Sequence, residues 1–171
     1  MNFREKLALG HSKLFTNQIV NEINKHPEKM DELMQIFMEG PVQFTQRAAW
    51  AISVVAEKHP EFLLRYYDLF ISLLNQPNKH NSINRNIVRA LQYSDIPEKY
   101  EGQILDVTFR LMNSPNEPIA VKVFCMTVIF NLSKKYPDIK PELKMSIEQL
   151  LPEGSAGIKS RGKKILKALE K

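Results

Sequence analysis

Apolar residues recur along this chain with the spacing of a helix face. Leu14, Phe15, Ile19, Val20 and Ile23 fall at i, i+1, i+5, i+6 and i+9, and Met30, Leu33, Met34 and Phe37 repeat that pattern in the next segment. Between Pro41 and Pro60 nothing breaks a helix, and Ala48, Ala49, Ala51, Ile52, Val54, Val55 and Ala56 cover more than one stripe, so this helix needs neighbours on two sides. Residues 61–75 and 117–135 are apolar round most of their circumference and are expected to be central. Residues 83–93 and 98–113 supply two more helices, 141–151 a short one, and 155–170 an amphipathic one with Ile158, Ile165, Leu166 and Leu169 inward. The pattern predicts nine helices, or ten if F-R-E-K-L-A-L before Gly10 is separate. No segment alternates with period two, so no strand is expected.

Prolines punctuate these helices in two alternating sets. Pro27, Pro60, Pro97 and Pro137 form one; Pro41, Pro77, Pro115 and Pro152 form the other, at intervals of 36, 38 and 37 residues. Proline lacks the N–H that a helix interior needs and biases its predecessor away from helix, so each marks a stop or a start. The acidic residue after each member of the first set suits the positive end of the helix that follows. The chain therefore reads as one domain, 1–171, with repeat breaks near 41, 77, 115 and 152 and a basic capping helix at 155–170.

Composition changes this picture little. The 171 residues, 43% hydrophobic and 25% charged, are enough for one buried core. The net charge of +5 is local: Lys159, Arg161, Lys163, Lys164, Lys167 and Lys171 against Glu170 account for all of it. A single cysteine, Cys125 in V-F-C-M-T-V-I-F, reads as a core residue in a reducing compartment. The first residues lack the apolar run of a secretory signal and no stretch is long enough to span a membrane, so a cytoplasmic protein is expected. His11, His26, His59 and His80 show no metal-ligand spacing, and no phosphate-binding glycine loop or nucleophile elbow is present. No metal, cofactor or catalytic residue is expected.

A two-helix unit of this length has its second helix after a proline turn, with a basic residue beside a small-residue run. It recurs as P-V-Q-F-T-Q-R-A-A-W-A-I from Pro41, P-N-K-H-N-S-I-N-R-N-I-V-R-A-L from Pro77, P-N-E-P-I-A-V-K-V-F-C from Pro115 and P-E-G-S-A-G-I-K-S-R-G-K-K-I-L from Pro152. It resembles the HEAT-like, armadillo-type repeat over nearly the whole chain. The resemblance implies an all-α fold, an α-solenoid of four to four and a half helix pairs in a right-handed superhelix with the second helices lining a concave surface. The aspartate usual in the turn of that repeat is replaced by proline or asparagine, so its Asp–Arg ladder is not expected.

Arg47, Arg85, Lys122 and Arg161 stand six to nine positions after the repeat prolines, where stacking would bring them into one row. One account is structural, each cation hydrogen-bonding a helix-end carbonyl. The other is a binding strip for an acidic peptide or a phosphate backbone, extended by Arg89 and by terminal lysines including Lys164, with Trp50 as a stacking surface. Small bacterial proteins of similar architecture include the DNA alkylation repair glycosylases, which hold a damaged nucleotide between aromatic and acidic groups. Here Trp50 has Glu57 only seven residues on, and that activity is not carried over. The expected function is a non-enzymatic binding or scaffold module for a protein or peptide; the alternative is a nucleic-acid-binding protein or a degenerate base glycosylase.

Overall fold

The computed structural model describes residues 1–77 and 81–170; His80 and Lys171, named above, lie outside the described residues. Ten α-helices and no strand are found among the described residues. By packing the chain divides into two compact units: Met1–Asp68 with Tyr93–Asp95, and Leu69–Gln92 with everything from Ile96 on.

The first unit contains α1 (Phe3–Ala8), α2 (Lys13–Lys25), α3 (Met30–Glu39) and α4 (Val42–Lys58). The Asn2 side chain caps α1 by accepting from the Glu5 N–H, and Ser12 caps α2 by accepting from the Phe15 N–H, each filling one orphan donor of a first turn. His26 and His59 end α2 and α4, and Pro27 and Pro60 then open 3-10 turns, Pro27–Lys29 and Pro60–Tyr66. The helix α1–α2 connection turns at Gly10, whose φ of 138° is open only to a residue without Cβ. α4 is the hub: α1, α2 and α3 all pack on it. Its Ala48, Ala49, Ala51 and Ala56 are fully buried and let neighbouring backbones come close, with Ile19, Ile23, Leu33 and Phe37 closing the core. Residues 61–75 divide: the 3-10 turn runs to Tyr66 and α5 occupies Tyr67–Asn75, the unit boundary falling after Asp68.

The second unit contains α6 (Asn81–Leu91), α7 (Glu98–Asn113), α8 (Ile119–Ser133), α9 (Lys140–Leu150) and α10 (Ala156–Leu169), with a 3-10 turn at Pro137–Ile139 before α9. Pro97 and Pro118 stand immediately before α7 and α8, the place their missing N–H costs nothing. α8 is the hub here, packed by α6, α7, α9 and α10. It carries one charge, Lys122, in 15 residues, and it needs neighbours on every side that is to be dry. Val121, Cys125, Met126, Val128 and Ile129 are buried, with Ile104, Val107, Leu143 and Ile147 opposite them.

Candidate binding surface

Within the second unit α6, α8 and α10 lie side by side and run the same way. Asn84 Nδ2 donates to Glu117 Oε1, just before α8, at 3.0 Å, and Asn131 Nδ2 to the carbonyl of Gln92, just after α6, at 3.0 Å, so the two helices meet start to start and end to end. On the other side, a Cβ on Gly157 would lie 3.6 Å from Ile119 Cγ2, and Arg161 Nη1 donates to Thr127 Oγ1. α10 therefore runs parallel to α8 in the same register sense.

These neighbours leave one stripe of α8 only partly covered. Ile119, Ala120, Val123, Phe124, Thr127, Phe130 and Asn131 fall at i, i+1, i+4, i+5, i+8, i+11 and i+12 and all keep solvent contact, Ile119 at 49% exposure. The stripe is apolar where a surface helix is ordinarily polar. α10 borders it through Gly157 and Arg161, and α6 through Gln92. On α6 Arg85 is exposed and Arg89 half-buried; on α10 Arg161 is half-buried and Lys164 exposed.

Of the cations expected in one row, Arg161 meets the stripe at Thr127, while Arg85, Arg89 and Lys164 keep solvent contact on the two helices packed against α8. Lys122 is half-buried on α8 itself, turned about 60° round the helix from Ile119 at one edge of the stripe. The proline spacing aligns Arg85 with Lys122 and Lys122 with Arg161 at offsets of 37 and 39 residues, and the contacts spread round those values: 33 for Asn84 with Glu117 and 39 for Gln92 with Asn131, 34 for Thr127 with Arg161 and 38 for Ile119 with Gly157. Arg47 and Trp50 belong to the first unit. Arg47 donates from Nη1 to the Leu7 carbonyl at 2.6 Å, closing the end of α1. Trp50, half-buried, stacks on His11 with ring centroids 4.5 Å apart.

The replacement for a turn aspartate ladder was not visible in the sequence. In the first unit Tyr66 Oη donates to Asp31 Oδ1 at 2.5 Å and Arg65 Nη2 lies 3.2 Å from the same oxygen. In the second, Tyr136 Oη and Lys135 Nζ both donate to the Glu101 carboxylate. Each is a basic-residue–tyrosine pair that holds an acid 34 and 35 residues upstream. The signal is that offset, but the two pairs stand differently to their prolines, after Pro60 and before Pro137. Burial raises the pKa of Glu101, yet the bonds from Tyr136 and Lys135 outweigh it and hold the carboxyl below its ordinary range. Burial first, and the bond to Asp31 second, push the Tyr66 phenol up.

A pocket of about 490 Å³ is lined by Glu101 with Glu98, Leu105, Leu132, Asp138 and Ile139, and the Glu101 carboxylate is already engaged by Lys135 and Tyr136. Among the described residues no three His, Cys, Asp or Glu side chains converge as a metal site. Cys125 is buried, and burial raises its thiol pKa, the opposite of what a nucleophile needs. No helix among the described residues is long and apolar enough to cross a membrane.

Helix pairs repeating through both units, tied by polar clasps one repeat apart and leaving a helix face partly covered, define a helical-repeat scaffold. The chain belongs to the HEAT repeat domain family, which it matches over residues 3–169, and HEAT repeats commonly mediate protein interactions. No curated protein and no solved structure gives a significant match.

Proposed function

We propose that this chain is a non-enzymatic binding module whose α6–α8–α10 face receives a protein or peptide partner. The observation that carries this reading is the apolar stripe of α8. A residue such as Val, Leu or Phe gains about 1.5–3 kcal/mol on full burial, so half-covered Ile119, Val123 and Phe124 retain part of that gain for a partner to claim. A photo-crosslinking amino acid at Ala120, with one at Lys144 on the far helix α9 as control, tests it in the source cell. The expected result is a discrete adduct from position 120 alone, whose purified protein binds wild type and is released by Ala120→Glu. Equal adducts from both positions, or undiminished binding to Ala120→Glu, contradict the reading.

Nucleic acid is the second reading, favoured by Lys159, Lys163, Lys164 and Lys167, all exposed on α10. It requires binding of nonspecific DNA at about 50 mM salt that falls steeply as salt rises.

A further inference from the structure

The three helices that form the proposed face are unusual in charge. α6, α8 and α10 together contain Arg85, Arg89, Lys122, Lys159, Arg161, Lys163, Lys164 and Lys167 and not one aspartate or glutamate. The helices packed behind them are mixed: α7 carries Glu98, Glu101 and Asp106 beside Lys99 and Arg110, and α9 carries Glu142 and Glu148 beside Lys140 and Lys144. The nearest carboxylate to the stripe in sequence, Glu117, is tied to Asn84. Cations are therefore left without in-helix partners on α6 and α10, the two helices packed against an α8 stripe that is itself mostly apolar.

We propose, resting on the reading that this face binds a protein segment, that its occupant is an acidic amphipathic helix. Such a helix lays its apolar side along Ile119, Ala120, Val123, Phe124 and Thr127 and offers carboxylates to Arg85 and Arg89 on one flank and Lys164 on the other. The dimensions agree. Helix axes that pack directly stand about 8–10 Å apart, so α6 and α10 lie about 16–20 Å from each other. The side chains of α6 and α10 take up about 10–12 Å of that separation, so a helix about 10–12 Å across rides above α8 on the outward side chains of all three helices. A phosphate backbone following the same path would lie over apolar side chains with its charges unmet in the middle. A neutral apolar helix would bury the floor but leave the cations facing each other unrelieved. Only a segment apolar on one side and anionic on its flanks satisfies both.

The test is selection from a displayed library of helical peptides of about 20 residues, randomised at the flanks of an apolar stripe, on the immobilised full chain. The expected winners carry Asp and Glu at the flanks. Their affinity, read by fluorescence anisotropy, should fall at least about tenfold for Arg85→Glu with Lys164→Glu, each site exchanging attraction for repulsion. Lys159→Glu with Lys163→Glu, on the outer side of α10, should leave it within about threefold. All four positions are exposed, and a thermal melt confirms that the variants fold. Winners with basic or uncharged flanks overturn the proposal, as does equal loss from both pairs of substitutions. So does tighter binding of an oligodeoxythymidine of about 20 nucleotides that the same Arg85 and Lys164 changes abolish. If Ala120→Glu removes peptide binding while the charge reversals do not, the binding face stands and its acidic occupant falls; if neither set acts, both fall.

Discussion

Glu101, in the first turn of α7, is 7% exposed and is held by two side chains from the turn that follows α8. Its ionised form is what Tyr136 and Lys135 recognise, and its folded-state pKa lies below the ordinary 4.5. The sign follows from that depression. The contribution is present in full above the unfolded value and is lost as pH falls through the folded one. Glu22 behaves alike: the hydrogen bond from Lys29 lowers its pKa to about 2. Glu101→Gln is expected to lower the thermal midpoint by a few degrees near neutrality, with the gap to wild type narrowing as pH drops below about 4.5. A gap that stays constant from about pH 7 to about pH 3 would show that the clasp does not depend on the charge. At this scale the sequence was least legible. Arg65–Tyr66 and Lys135–Tyr136 look like ordinary surface dipeptides until their acids, Asp31 and Glu101, are found one repeat earlier. Arg47 shows the same limit, since its acceptor, the Leu7 carbonyl, carries no residue-type signal at all.

Two glycines inside helices separate local propensity from packing. Gly102 sits exposed in α7, and a Cβ added there meets nothing within 4 Å. Gly162 is buried in α10, where a Cβ would come within 2.9 Å of Ile147 Cγ2 and 3.1 Å of Leu151 Cδ2. Ile147 is β-branched and fully buried, so it has little room to yield. Gly102→Ala should therefore stabilise by about 0.5–1 kcal/mol through backbone entropy. Gly162→Ala should destabilise by about 1–2 kcal/mol, because overpacking outweighs the same gain. Urea unfolding of the pair decides it; stabilisation by both would mean that α10 is not seated on α9 as described. The elements themselves were largely readable. Pro41 and Pro97 stand directly before α4 and α7, Pro118 stands three residues beyond the predicted break at Pro115, and F-R-E-K-L-A-L is a helix in its own right. The 3-10 winding of Pro60–Tyr66 was not readable, since P-E-F-L-L-R-Y carries apolar residues round most of its circumference and so shows no phase for the extra rotation of about 20° per residue to shift.

Across the molecule, what composition reports as a local excess of charge becomes, in the second unit, a division of labour between helices. Mixed charges sit on α7 and α9, and cations alone on α6, α8 and α10. The sequence showed the cations and the apolar character of α8, but not which side of that helix its neighbours leave partly covered. That depends on where Gly157, Arg161 and Gln92 touch it. The most direct measurement is amide chemical-shift mapping of the full chain titrated with its crosslinked partner or with the tightest selected peptide. Shifts concentrated at Arg85, Arg89, Ala120, Val123, Phe124, Thr127 and Lys164, with α9 silent, are the expected result. Shifts centred on α7 or α9, with the α8 stripe silent, would contradict the account.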